Sequence, residues 1–203
     1  MLVKKFKFKQ EFLEIHTDEN PESPREWDNM GTMVCSHKQY KLGDIQVDSE
    51  EDYKEAIKEA KIILPIFMYD HSGISISTRR DYPFNDEWDS GQVGVIFITE
   101  EKLKKEYGVK TITEEIIKQA TDCLVGEVET YNQYLSGDVY GFEKFRLETC
   151  DHHSNHKVDS DSCWGFFGSD FEANGLFEST GHTAKEWQEL ENIVITNYNK
   201  KSD

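Results

Sequence analysis

Long apolar runs are missing from this chain. The longest, Ile62–Met68, falls far short of the roughly 20 residues that a helix needs to cross a bilayer. Basic residues are scarce too: 23 Lys and Arg stand against 40 Asp and Glu, a formal charge of −17. A field of that sign repels nucleic acid and anionic lipid and attracts basic proteins. Cysteine is limited to Cys35, Cys123, Cys150 and Cys163. Their spacing contains no CxxC and no disulfide framework, so free thiols in a reducing cytosol are expected. The basic start, Met1–Lys9, has no apolar run behind it and does not read as a signal peptide. No complete catalytic or cofactor motif occurs, and the GxSxG of a nucleophile elbow is absent. The expectation is a cytoplasmic protein with no cofactor, no membrane contact and no direct nucleic-acid binding; its oligomeric state is left open.

Aromatic residues, by contrast, make up 12% of the chain, enough large side chains to build a core. The length of 203 residues suits one domain, and residues 1–203 are read as a single acidic α+β domain. Its sheet should be mixed or mainly antiparallel, packed by about three to four helices, because strands and helices mix without a βαβ rhythm. Alternation at Phe6 and Phe8 against lysines predicts an edge strand over residues 3–15. The segment 18–31 reads as an ordered loop. Ser49 and Asp52 form a capping box for a helix over 50–60 with Tyr53, Ala56, Ile57 and Ala60 on one face. Strands follow at 62–69, 74–77 and 92–99. Thr99 caps a short helix that stops at Gly108. A long helix spans about 113–136, with Thr111 and Glu114 as its box. Residues 139–148 form a strand, 150–162 a polar loop and 163–168 a short strand. A last helix starts near Thr183, with Glu186 as box partner and Trp187, Leu190 and Val194 facing inward.

Four constellations can carry chemistry. Asp70-His71-Ser72-Gly73 follows a core strand. Asp70, His71 and Ser72 are candidate catalytic residues, although sequence neighbours on an extended chain point to opposite faces. The bland reading is a turn. The second loop, Trp88-Asp89-Ser90-Gly91, enters another core strand, and Asp89 could join Asp70 and His71 in one cleft for a divalent metal or acid–base work. The third is Cys150, His152, His153 and His156, which offers zinc-type ligands but matches no zinc-module spacing. It reads more simply as a solvated loop. The fourth is a set of tyrosines, 131, 134 and 140, a possible recognition surface or a half-buried helix–strand junction. Trp27 and Asp28 join Trp88, Asp89 and these tyrosines as candidate binding residues.

The acids cluster. Asp48–Glu59 holds six acids and two lysines, and Asp159–Glu191 holds eight acids and one lysine. Such a surface either keeps the protein soluble or imitates the phosphates of nucleic acid.

The strings Pro24-Arg25-Glu26-Trp27-Asp28-Asn29-Met30-Gly31-Thr32-Met33, Tyr69-Asp70-His71-Ser72-Gly73-Ile74 and Trp88-Asp89-Ser90-Gly91-Gln92-Val93-Gly94 resemble a family of uncharacterised proteins of phages, plasmids and microbial genomes. Tyr131–Gly141 and Asp161-Ser162-Cys163-Trp164-Gly165-Phe166 resemble it as well. The resemblance implies a mobile-element context, and for a phage-encoded protein the host cytosol. The expected function is therefore a non-enzymatic acidic binding protein that inhibits host defence or, by charge mimicry, a nucleic-acid-binding protein. Its partner would be a basic protein. Two alternatives stand beside it: a small-ligand-binding or metal-dependent hydrolytic enzyme using the Asp70-His71 and Trp88-Asp89 loops, and a structural or assembly protein.

Overall fold

A computed structural model describes residues 1–86, 88–150 and 153–190. In chain order the elements are β1 (Leu2–Phe8), β2 (Glu11–Thr17), a 3-10 turn (Pro24–Glu26), β3 (Thr32–Cys35), β4 (Ile45–Gln46), α1 (Glu50–Ala56), β5 (Ala60–Asp70) and β6 (Ile74–Ser77). Then come β7 (Ser90–Thr99), α2 (Glu100–Tyr107), α3 (Glu114–Leu135), β8 (Val139–Cys150), β9 (His153–Phe167), α4 (Leu176–Ser179) and β10 (Gln188–Glu189). The class is α+β, as expected. The strands form two five-stranded sheets rather than one, in two compact units. Glu22–Ser136 is an inserted unit, and Met1–Pro21 with Gly137–Asp203 is a terminal unit made from both ends of the chain.

The inserted unit's sheet has the order β4-β3-β7-β5-β6. Only β3 and β4 run parallel. β7 is central and apolar on both faces, because both are covered. Ile96 and Ile98 pack with Leu103, Ala120, Leu124 and Val128 of α2 and α3. Val95 and Phe97 pack with Val34, Val47 and the α1 residues Tyr53 and Ala56. Leu124 is fully buried, and truncating such a leucine to alanine costs about 2–5 kcal/mol.

Local signals place the helices. Ser49 Oγ accepts from the Asp52 amide at 3.1 Å and donates to its carboxylate at 2.7 Å. This box starts α1, which ends at Ala56, earlier than expected, since Ala60 already belongs to β5. Thr99 Oγ1 accepts from the Lys102 amide, and Gly108 at φ 64 closes α2. The cap of α3 is Thr113, bound by the Ile116 amide, rather than Thr111.

Loop 24–31 is held by a buried ionic clamp. Arg25 donates to Asp44 Oδ1 and Oδ2 at 2.9 and 2.5 Å, to Glu127 Oε2 at 3.0 Å and to the Gly31 carbonyl at 2.9 Å. Glu127 also accepts from the amides of Met30 at 2.7 Å and Gly31 at 3.1 Å. Burial opposes the Arg25 charge, but Asp44 and then Glu127 outweigh it and hold its pKa above the usual arginine value.

The terminal unit's sheet is antiparallel in the order β10-β1-β2-β8-β9. Residues 3–15 are therefore a hairpin, not one strand. Phe6 lies opposite Leu13, and Ile15 opposite Phe142. These four share one core with Phe171, Leu176, Phe177 and Trp187. β1 is not the edge, because β10 pairs outside it. Residues 153–162 are not a loop either: they continue β9 along β8. The expected last helix is replaced over 183–190 by a turn and β10. Its box still forms, with the Thr183 amide donating to Glu186 at 2.9 Å, and Trp187 is buried, but β10 joins β1. Val194 lies outside the described residues.

Candidate functional site

Strand pairing brings two of the candidate loops together in the inserted unit. β5 and β7 are antiparallel, with Tyr69 opposite Ser90. The next residues therefore meet, and the Asp70 amide donates to the Asp89 carbonyl at 2.9 Å. His71 Nδ1 then lies 3.1 Å from Asp89 Oδ2, and the His71 ring stacks on Tyr69. Asp70 turns elsewhere: its Oδ2 accepts from the Tyr40 hydroxyl at 2.9 Å. That bond, with partial desolvation, raises the Tyr40 pKa above the ordinary phenol value. His37 stacks on Tyr40 and accepts from the amides of Gln39 and Tyr40.

The 86–90 turn is built by side chains. Asp86 Oδ1 accepts from the amides of Trp88 and Asp89, each at 2.9 Å, and Ser90 Oγ donates to the Asp86 carbonyl. The amides of Asp89 and Trp88 hold the Asp86 carboxyl below the ordinary range. This turn presents Trp88 to solvent at 92% exposure. The cleft beside it has a volume of about 420 Å³ and is lined by Ser36, His37, Asp70, Trp88, Asp89 and Gln92 among others.

Asp70 and Asp89 thus share one cleft, and His71 is joined to it through Asp89. Ser72 is not assembled as a nucleophile. It sits in a left-handed turn at φ 63, and among the described residues it makes no hydrogen bond to His71, whose Nδ1 faces Asp89. What the cleft offers is two carboxylates, imidazole edges and an exposed indole, a set suited to a cationic group or to proton transfer at His71 Nε2.

The remaining candidates are scattered. Trp27 is 45% exposed and Asp28 is exposed, both beside the Arg25 clamp. Tyr131 is corrected to a core residue: it is 6% exposed, and its hydroxyl accepts from the Gly43 amide at 3.4 Å. Tyr134 stacks on it, half-buried. Tyr140 belongs to the terminal unit, its ring against Phe171. Burial, then the bond to Asp138, pushes its hydroxyl up to about 12. Tyr131 and Tyr134 thus pack within the inserted unit and Tyr140 within the terminal unit. His152 and the side chains of Cys150 and His153 lie outside the described residues, while His156 lies on β9 opposite Glu148.

One cluster escaped the sequence reading. On the face of the terminal sheet opposite the Leu13 and Ile15 core, Glu14, His16 and Glu143 bring ligand atoms within 4.8 Å of one another. Glu14 and His16 share a face two residues apart on β2, and Glu143 lies opposite Glu14. That alternation is visible in the sequence; the register that adds Glu143 is not. Two ammonium groups already neutralise the carboxylates: Lys157 bonds Glu14 at 2.9 Å and Glu143 at 2.8 Å, and Lys5 bonds Glu14 at 2.6 Å. Burial resists the Glu14 charge, yet its bonds to Lys5 and Lys157 prevail and leave it below the usual carboxylate range. The cation position is filled by lysine, so the cluster is an ion-pair network.

Comparison with protein-family models, with curated proteins and with solved structures finds no match to this chain.

Proposed function

We propose that this chain is an acidic binding protein whose inserted unit captures a cationic side chain of a basic protein partner in the Trp88–Asp89 cleft. The observation that carries this reading is Trp88, 92% exposed on a turn that three hydrogen bonds fix in place. Exposing a large aromatic costs hydration free energy, and a rigid exposed indole next to carboxylates is a ready contact for lysine or arginine. The formal charge of −17 steers such partners toward the protein. The mobile-element resemblance directs the search to host defence proteins that themselves bind nucleic acid. The acid-rich segments belong to different units, 48–59 around α1 and 159–190 in the terminal unit, and the proposal is centred on the cleft of the inserted unit.

Affinity capture from host lysate tests it, with the native protein and Trp88→Ala/Asp89→Asn run in parallel. A partner should be retained by the native bait, lost from the variant and released as salt rises. Removing the indole contact weakens binding about tenfold or more. Equal retention by both baits would refute the assignment. A second reading, acid–base chemistry at His71 oriented by Asp89, rests on the 3.1 Å contact between them. It requires His71→Gln to abolish turnover of a small substrate while leaving protein capture intact.

A further inference from the structure

The terminal unit carries a groove of its own, built by the segment that joins β9 to β10. Its walls are fixed. Asp170 accepts from the amides of Glu172 and Ala173 at 3.2 and 3.0 Å. Asn174 donates to the Gly168 carbonyl at 2.7 Å. Lys144 donates to the Thr180 carbonyl at 2.7 Å, and Trp187 Nε1 donates to Thr180 Oγ1 at 3.0 Å. Two adjoining hollows, of about 410 and 600 Å³, share Glu172, Phe177 and Ala184. Sharing these walls, they form one groove.

Its floor is aromatic, formed by Phe171, Phe177 and Trp187. Its rim is acidic. Asp170 and Glu186 are used by the turn amides they cap, and Glu189 is paired at 3.2 Å with Lys4, the one lysine among the described residues that line the groove. Glu172 and Glu178 are different: both are exposed on the rim, and among the described residues neither has a cationic partner. An aromatic trough flanked by uncompensated carboxylates complements side chains with apolar stems and cationic heads. It repels phosphates and nucleic acid. It also disfavours a second copy of this chain, which would bring acids against acids.

We infer that this groove docks an extended, lysine- or arginine-bearing segment of a partner protein, as a site separate from the Trp88 cleft. The stems lie over Phe177 and Trp187, and the heads meet Glu172 and Glu178. The probe is a peptide of alternating arginine and glycine, titrated into the full chain and followed by the indole N–H NMR signals. Trp187 reports the groove and Trp88 the cleft. The Trp187 signal is expected to shift saturably with this peptide and to stay still with a glutamate–glycine peptide. Glu172→Gln/Glu178→Gln should weaken that isotherm about fivefold, with an unchanged melting temperature. The inference is overturned if Trp187 does not respond, or if the variant gives the native isotherm. A shift at Trp88 alone would leave the cleft reading standing and remove this one. A dimer in light scattering that the same double variant dissolves would make a second copy the occupant and also overturn it.

Discussion

Replacing Arg25 with alanine should unfold the inserted unit far more readily than its position in a surface loop suggests. The guanidinium is 6% exposed and faces two carboxylates, Glu127 at 12% and Asp44 at 25% exposure. Without it, both carboxylates lose their cationic partner and keep only backbone amide donors, and the Gly31 carbonyl loses its bond to the guanidinium. Breaking a buried pair by deleting one partner costs about 3–5 kcal/mol. Water reaches Asp44, so the expected loss lies at the lower end, about 3 kcal/mol. Arg25→Lys should recover less than half, because one ammonium cannot span two carboxylates and a carbonyl. Arg25→Ala/Glu127→Ala should cost less than the sum of the single changes, since the second removes the charge that the first strands. Urea denaturation measures the losses, and hydrogen exchange at the amides of Met30, Gly31 and Met33 localises them, because these donate to Glu127 and Asp44. An Arg25→Ala protein within about 1 kcal/mol of native, with those amides still protected, would refute the reasoning.

Acid should weaken the terminal unit through Glu14. Its pKa is depressed in the folded state, so its contribution is complete above the unfolded value of about 4.3 and is lost as pH falls through the lower folded value. Glu14→Gln should flatten that part of the stability–pH curve measured by urea titration. Gly94→Ala should cost about 3 kcal/mol or more, since its Cβ would sit 2.1 Å from the Val34 carbonyl oxygen. Gly141→Ala should also destabilise in the same assay, because its Cβ would sit 2.2 Å from the Trp164 ring and 2.9 Å from the Cys163 carbonyl oxygen. Alkylation of the native protein followed by mass spectrometry should modify exposed Cys163 and spare Cys35, whose thiol is pushed up to about 12 by burial and then by Asp44.

Much of the inserted unit could be read from local signals. Ser49 with Asp52, and Thr99 with Gly108, act within a few residues, and the run Val93–Thr99 needed only its apolar character to mark a buried strand. The terminal unit hid its signals. Phe6 and Phe8 occupy even positions, but Leu13 and Ile15 occupy odd ones, so one continuous strand could not bury all four on one face. That change of parity marks the hairpin. Only the end of β9 reads as a strand in the sequence, and 153–162 as a loop, because an edge strand largely exposed over 157–165 has no apolar alternation to display. Trp187 and Leu190 have helical spacing, yet pairing of β10 with β1 overrode it. The convergence of Asp70 and Asp89 followed from their places at strand ends. The clamp could not be found this way, because Arg25 and Glu127 are 102 residues apart and only the fold makes them neighbours.

The terminal unit is completed by segments from both sides of the insertion, with β2 paired to β8 and the Asp18 amide donating to the Val139 carbonyl at 2.8 Å. During synthesis the ribosome releases the β1–β2 hairpin first, and its inner edge then waits while all of Glu22–Ser136 is made. The inserted unit has every strand it needs before β8 exists, so folding on the ribosome is ordered from the inserted unit to the terminal unit. A translation pause after Ser136 has cleared the ribosomal exit tunnel, with β8 still inside it, would leave a finished inserted unit and an unpaired hairpin edge, the nascent state most open to aggregation or chaperone capture.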